Sequence, residues 1–135
     1  MNLKELVRNR VEVLLAKEFY CNLNQLNGTV CVAKDHNRVI GVAGAAGSSI
    51  DDLWEMGVDV IEEYRNARLG TYLVRRLTKE LLSRNIVPFY SASVTNIGSQ
   101  MVAYRCGYRP CWVDTYGTVL DGSSVYNDLY HFKGK

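Results

Sequence analysis

Apolar residues at three- and four-residue steps open the chain and predict an amphipathic helix over residues 2–20. These positions are Leu3, Leu6, Val7, Val11, Leu14 and Leu15. Asn2, followed three residues later by Glu5, is typical of the pair that caps a helix start. After a polar break at residues 22–28, the apolar spacing shortens to the two-residue alternation of strands.

Two strands joined by a short turn predict a β-hairpin over residues 29–46. The first strand covers residues 29–34, the turn is Asp35-His36-Asn37, and the second strand covers residues 39–46. Glycines thin the second strand, and glycine inside a strand indicates a bulge or the close approach of another segment. They are Gly41, Gly44 and Gly47.

A third strand and a second helix are predicted in the middle of the chain. Residues 53–61 alternate between two faces of a strand. One face carries Trp54, Met56, Val58 and Val60, and the other carries Leu53, Glu55, Gly57 and Asp59. A polar turn at residues 62–67 leads into a helix that runs to about residue 84. Its apolar stripe consists of Leu69, Leu73, Leu77 and Leu81.

The last third of the chain predicts a strand over residues 87–93 and a helix over residues 97–106 that ends at Gly107. Two more strands are expected over residues 110–120 and 125–132. A hairpin followed by alternating strands and helices favours a mixed sheet with helices on its faces. The length, without linkers or repeats, predicts that residues 1–135 form a single domain.

Composition narrows the classes of function. The net charge is +2 and no long basic run occurs, so we expect no nucleic-acid partner. No apolar run approaches the roughly 20 residues of a membrane span, so we expect no membrane partner. The four cysteines and two histidines lack the spacing of a zinc site, so no metal is expected. Reduced thiols and the lack of a signal-peptide pattern predict a cytoplasmic protein.

The turn before the second helix has an unusual charge pattern. Arg65 and Arg68 lie near the helix start, where the helix dipole disfavours cations unless an anion is present. A helix start with free N–H groups binds anions, and Gly70 lets the backbone come close to a ligand. Alternatively, Glu62 and Glu63 neutralise the two arginines. Local chemistry alone leaves both interpretations open.

A family resemblance favours the anion site. Residues 60–71, VIEEYRNARLGT, resemble the acyl-CoA signature of the GNAT (Gcn5-related) N-acetyltransferases, Arg/Gln-x-x-Gly-x-Gly/Ala after an extended strand. Arg65 matches the first position and Gly70 the last, whereas Arg68 stands where the family usually has glycine. The resemblance assigns the coenzyme pyrophosphate to Arg65, Asn66, Ala67, Arg68, Leu69, Gly70 and Thr71.

A second match follows at the expected distance. Asn96-x-x-Ser99, with Gly107-Tyr108 further on, resembles the second coenzyme-binding helix of the same family. The resemblance implies that Asn96 contacts the pantetheine arm of acetyl-CoA and that the helix, with Ser99, flanks this arm. Both motifs occur in the order that the family has, and the resemblance covers roughly residues 30–119.

The resemblance implies an α+β or α/β fold, with a mixed, mostly antiparallel six-stranded sheet, a splayed parallel pair and helices on both faces. Acetyl-CoA, the cosubstrate, would enter between the strands at residues 53–61 and 87–93. Backbone groups of Gly57, Val58 and Val60 would pair with its pantetheine amides. The implied reaction is direct transfer of the acetyl group to a primary amine.

Two side chains are candidates for the chemistry. Glu55 lies where resembling enzymes often place a catalytic glutamate, and it could act as the base for the amine. Asp59 shares its face but ranks lower, and a solvated glutamate at position 55 is the alternative. The family's usual tyrosine acid would fall at Ala103. Tyr104 lies one residue on, rotated by about 100°. Either Tyr104 protonates the thiolate from a shifted helix, or solvent does so, or catalysis is absent.

Other candidates rank lower. Tyr90 and Tyr108 are expected to be aromatics of the core or its rim. Ser93, Cys106 and Cys111 have no neighbouring histidine in sequence, and direct transfer needs no covalent nucleophile.

The acceptor is the least defined part of the prediction. Resembling proteins usually begin with a strand and two helices that help to build the acceptor pocket, whereas only one helix is predicted here. The chain would be a short member, part of a larger protein, or completed by a homodimer partner. A small molecule or a peptide could supply the amine. The rival hypotheses are a non-catalytic acyl-CoA sensor and an interaction domain without a coenzyme.

Overall fold

A computed structural model describes residues 11–21 and 26–115 of the chain. Its five strands lie in one sheet in sequence order. They are β1 (Val11–Cys21), β2 (Leu26–Asp35), β3 (Arg38–Gly47), β4 (Leu53–Val60) and β5 (Val87–Tyr90). Neighbouring strands pair antiparallel except β4 and β5, which are parallel. The mixed, mostly antiparallel sheet expected from the sequence is thus confirmed; the strand predicted at residues 125–132 lies outside the described residues.

The helix predicted over residues 2–20 is wrong in its second half, where β1 pairs with β2. An unpaired β2 would leave a row of backbone N–H and C=O groups that a strand can satisfy and a helix cannot. Val11 and Val13 also favour extended backbone because they are β-branched. Tertiary pairing therefore overrides the helical spacing of the leucines. Residues 2–10 lie outside the described part of the chain.

Two helices lie on one face of the sheet. They are α1 (Leu69–Ser83) and α2 (Ile97–Arg105). The predicted stripe of α1 is confirmed, because Leu69, Leu73, Leu77 and Leu81 are each at most 1% exposed. The helix comes so close to β3 that a Cβ atom at Gly41 would lie 3.0 Å from the Leu73 side chain. Gly41 thus allows the close approach that its place in the strand indicated.

Several contacts hold the segment between β4 and α1 against the β2–β3 hairpin. A short 3₁₀ turn, Glu62–Tyr64, lies in the first half of this segment. The buried Tyr64 hydroxyl donates a hydrogen bond to Asp35, and the amide of Ile61 donates one to the carbonyl of Ile40 at 3.0 Å. The exposed pair Arg38–Glu63 adds a contact of 2.8 Å. The hairpin therefore fixes the path of the chain into α1.

The end of the described chain differs from the sequence prediction. The strand predicted over residues 110–120 is wrong in its first part, since residues 110–115 form neither strand nor helix, and residues 116–120 lie outside the described range. Pro110 has no N–H to donate to a sheet, which fits this irregular path. Within the described residues, no helix is both long and apolar enough to cross a membrane.

Candidate functional site: an open strand edge beside two helix starts

The turn before α1 has two residues in the left-handed backbone region. Asn66 and Arg68 each have a φ of 63°. Arg68 stands where the resembling signature usually has glycine, and it adopts a conformation that glycine favours. For an arginine this conformation costs about 1–3 kcal/mol. The backbone of the turn thus keeps the path that glycine would give it, and Arg68 adds a guanidinium group. The sequence alone did not decide whether this path is kept.

A substitution pair measures this backbone cost. Arg68→Gly should raise the free energy of unfolding relative to Arg68→Ala by about 1 kcal/mol, because only alanine keeps the Cβ strain. Denaturant unfolding of both variants checks the difference. Equal stability, or a more stable alanine variant, would show that Arg68 is not strained.

The first turn of α1 offers hydrogen-bond donors that the protein does not use. No side chain caps the helix, and the amides of Leu69, Gly70 and Thr71 have no acceptor among the described residues. The Thr71 hydroxyl is also without a partner there, although the residue is only 6% exposed. Buried polar groups are nearly always hydrogen-bonded. This cluster of donors is therefore suited to an anion.

Arginine side chains surround these donors. A cleft of about 350 Å³ is lined by Arg68, Thr71, Tyr72, Arg75 and Arg105. Arg75 donates a hydrogen bond of 2.6 Å to the carbonyl of Arg105, which ties α1 to the end of α2. Sequence reasoning missed Tyr72, Arg75 and Arg105. The first two could have been found, because Arg68, Tyr72 and Arg75 recur at helical spacing on one face.

Arg65, predicted to bind phosphate, has partners within the protein. Its Nε donates to the carbonyl of Val60 at 2.8 Å, and its guanidinium lies 3.7 Å from the carboxylate of Asp59. Arg65 therefore braces the turn against the end of β4. The same ion pair holds Asp59 at the phosphate end of the strand, which makes it a poorer candidate base than Glu55.

Strands β4 and β5 pair over only part of β4. Their register runs from Leu53↔Val87 to Met56↔Tyr90, where β5 ends, while β4 continues to Val60. The edge of β4 toward β5 is therefore open from Gly57 onward, as the expected splay requires. Gly57, Val58 and Val60, predicted to pair with pantetheine, all lie on this stretch, where the carbonyl of Val60 already accepts the bond from Arg65.

The start of α2 forms the other wall of this gap. Asn96 caps the helix, its side-chain oxygen accepting from the amide of Ser99 at 3.0 Å. The hydroxyl of Ser99 lies 2.7 Å from that of Tyr90. A Cβ atom at Gly70 would lie 3.7 Å from Val58 and 3.8 Å from Val102. The starts of both helices therefore meet beside the open edge of β4.

Glu55 lies at the closed end of the gap on the face opposite the helices. It is exposed and pairs in register with Phe89 of β5. The hydroxyl of Ser91, just after β5, donates a hydrogen bond to its carboxylate. Sequence reasoning did not identify Ser91, because its contact with Glu55, 36 residues away in sequence, depends on the register of two strands. The carboxylate is thus held in place but remains open to an incoming molecule.

Tyr104 lies on the outer side of α2. The residue is 59% exposed, and the centroid of its ring lies 4.8 Å from the guanidinium carbon of Arg109. Val102 packs toward Gly70, and the thiol of Cys106 contacts the carbonyl of Thr71. At about 100° per residue, Tyr104 lies nearly opposite these inward-facing positions. The structure therefore does not bring Tyr104 together with the β4–β5 gap.

Cys106 does not resemble an activated nucleophile. Burial raises the pKa of its thiol, and the nearby Arg75 only partly opposes that rise. A reactive cysteine requires a lowered pKa, because the thiolate is the nucleophile. Among the described residues, no group of three or more His, Cys, Asp or Glu side chains could hold a metal ion.

Comparison with known proteins identifies the family. The profile of the acetyltransferase (GNAT) family matches residues 3–108. The chain therefore belongs to the GNAT family, as its two motifs indicated. A search of curated proteins finds no match.

Solved structures of acetyltransferases share the fold. An aminoglycoside acetyltransferase from an uncultured soil metagenomic sample, in complex with sisomicin, has a TM-score of 0.65 at 15% identity, covering 84% of this chain and 99% of that one. The microcin C7 self-immunity acetyltransferase, in complex with acetyl-CoA and AMP, has a TM-score of 0.60 at 18% identity, covering 72% and 56%. A GCN5-related N-acetyltransferase-like protein from Streptococcus suis has 0.58 at 22%, covering 77% and 49%. At these identities the likeness shows the fold alone.

Proposed function

We propose that this protein is an N-acetyltransferase that moves the acetyl group of acetyl-CoA directly to a primary amine. The observation that carries the proposal is the open edge of β4. It leads from the unpartnered donors at the start of α1 to the exposed carboxylate of Glu55. An elongated ligand with phosphates at one end and a reactive carbonyl at the other suits this arrangement.

The phosphate end fits the residues present. Thr71 contributes a buried hydroxyl without a partner among the described residues. Three backbone amides at the start of α1 likewise lack acceptors there. Helix starts and left-handed turns bind phosphate through such donors. Arg68, Arg75 and Arg105 add positive charge around the cleft. Asn66, Ala67 and Leu69 belong to this turn, as the sequence prediction has them.

Removing one cleft arginine should weaken coenzyme binding. Arg105→Ala should raise the Kd for coenzyme A about tenfold, because a hydrogen bond to a charged group contributes about 1.5 kcal/mol or more. Arg76→Ala is the matched control, since Arg76 is an exposed arginine of α1 that does not line the cleft. Calorimetry in low salt measures both constants. An equal loss in the two variants would mean that only net charge matters and that Arg105 has no specific role.

Glu55 is proposed as the base. Acetyl-CoA supplies an activated thioester when bound, and the neutral amine that attacks it must lose one proton to become an amide. Glu55 accepts that proton, directly or through a water, while Ser91 fixes the orientation of the carboxylate. Because Glu55 is exposed on the face opposite α1 and α2, the acceptor would approach from there.

The acceptor is proposed to be a small-molecule amine. A neighbour of the same fold is named for aminoglycosides and is in complex with sisomicin, which favours this class over a peptide amine. β1 ends at Cys21 and β2 begins at Leu26, where the resemblance implies two helices that help to form the acceptor pocket. A homodimer partner is proposed to complete the acceptor pocket.

Thiol release tests the function. Incubating the protein with acetyl-CoA and a panel of small amines should give free coenzyme A at a rate that depends on one class of amine. Peptides with a free amine form the second arm of the panel. The absence of amine-dependent release across both arms, with coenzyme binding intact, would contradict the proposed activity.

A non-catalytic acyl-CoA-binding module is the second candidate. Ala103 at the position of the family's usual acid, and Tyr104 on the outer side of α2, favour it. Such a module would bind coenzyme A as tightly as an enzyme does but would show no turnover. The same panel therefore separates the two functions.

A further inference from the structure

We propose that Tyr90 is the proton donor to the departing coenzyme thiolate, with Ser99 as the residue that positions it. This inference rests on the proposed acetyl transfer. On α2, Ala103 stands where the resemblance leads us to expect the tyrosine that protonates the thiolate. Tyr90 would supply the phenol hydroxyl from strand β5 instead of from this helix.

The direction of the gap places the reactive end of the ligand near Tyr90. The donors for phosphate lie at the start of α1, beyond the carboxyl end of β4. The gap closes at the pair Met56↔Tyr90, the last residues at which β4 and β5 remain in register. From Val60 back to Met56 the strand rises about 13 Å. If the phosphates of a ligand bind at the start of α1, the part of the ligand farthest from its phosphates therefore lies at the closed end of the gap, near Tyr90.

Tyr90 presents its hydroxyl on the side of the sheet that the helices cover. Its oxygen lies 2.7 Å from the hydroxyl of Ser99 in the first turn of α2, and its ring packs 6.0 Å from that of Tyr108. Ser99 precedes Ala103 by one helical turn, so both lie on the same side of α2. The Tyr90 hydroxyl thus lies beside the helix face from which a residue at position 103 would act.

The environment keeps this hydroxyl protonated. Burial raises the pKa of Tyr90, the bond from Ser99 partly opposes the rise, and Cys106 adds to it. Tyr108 and Cys106 are the titratable groups that face Tyr90 among the described residues, and the pKa of each is itself raised by burial. A neutral phenol is the form that can give up a proton.

The two proposed groups lie on opposite faces of the sheet. Glu55 takes the proton of the amine as the amine nitrogen bonds to the carbonyl carbon. The carbon–sulfur bond then breaks, its electron pair goes to sulfur, and the hydroxyl proton of Tyr90 follows. Tyr90 regains a proton from solvent, to which Glu55 releases one, so the net products are an amide and a thiol.

The bound coenzyme thiol provides a test that needs no acceptor. The ultraviolet absorbance of the thiolate is followed against pH for coenzyme A bound to the full chain, with desulfo-coenzyme A as the blank for tyrosine absorbance. If Tyr90 donates to sulfur, the pKa of the bound thiol should rise by about one to two units in Tyr90→Phe, the size of a hydrogen bond to a charged group. Ser99→Ala should shift it in the same direction by less.

Tyr108→Phe is the matched control. Tyr108 is also half-buried, but its hydroxyl contacts Thr78 and the sulfur of Met56 rather than α2. This variant should leave the thiol pKa unchanged. If Tyr90→Phe binds coenzyme A but leaves the pKa of the bound thiol unchanged, the assignment of Tyr90 is overturned while the proposed function stands. The same holds if Tyr108→Phe shifts this pKa as much as Tyr90→Phe does. Failure of the unmodified protein to bind coenzyme A overturns the proposed function together with this assignment.

Discussion

Glu55→Gln should lower kcat by about 10²–10⁴-fold, the usual contribution of a general base. Glutamine cannot take the proton of the amine, but it keeps an oxygen that accepts the hydrogen bond from Ser91. Because Glu55 is exposed and contributes nothing to the core, the substitution should leave folding and the Kd for coenzyme A unchanged. The measurement is thiol release at saturating acetyl-CoA and amine.

The control for this prediction is Asp59→Asn. Asp59 shares the face of Glu55, but it pairs with Arg65 near the phosphate end of the strand. Its loss should affect coenzyme binding more than kcat. A rate for Glu55→Gln within about twofold of the unmodified protein would remove Glu55 as the base.

Leu77→Ala should destabilise the fold by about 2–5 kcal/mol, because it leaves a cavity in a packed interior. Leu77 is a residue of α1, and its side chain is fully buried in the core between this helix and the sheet. The effect tests the contact that holds α1, and with it the phosphate-binding amides, in position. Denaturant unfolding of the purified variant measures the change in the free energy of unfolding.

Leu82→Ala provides the comparison on the same helix. Leu82 is 55% exposed, so its truncation should change stability by no more than about 0.5 kcal/mol. The two variants lose the same atoms from the same residue type. Similar losses in both would contradict the orientation of α1 described above.

The sequence predicts the elements around the site well because their patterns are local. The alternation along β4 places Met56 and Val60 in the core, and both are buried. The stripe of α1 and the stop of α2 near Gly107, whose φ is 94°, follow from helical spacing and glycine chemistry in the same way. Both coenzyme motifs lie on these elements.

Features that depend on contacts between distant segments could not be predicted from the sequence. The leucine spacing of residues 11–21 fits a helix, yet pairing with β2 makes this segment a strand. The bond from Ser91 to Glu55 and the contact of Tyr90 with Ser99 join different elements. Neither leaves a local signal. The left-handed backbone of Arg68 is likewise contrary to the preference of arginine, so only the geometry shows that the turn keeps its shape.

Coenzyme binding is the central claim, and a thermal or calorimetric titration of the full chain with acetyl-CoA tests it most directly. At one hundred times its Kd, a ligand of the folded state adds about 2.7 kcal/mol to the free energy of unfolding. We therefore expect a clear rise in Tm with acetyl-CoA and with coenzyme A, and a smaller rise at equal concentration for Arg105→Ala. No change in Tm and no heat of binding at millimolar acetyl-CoA would contradict the account.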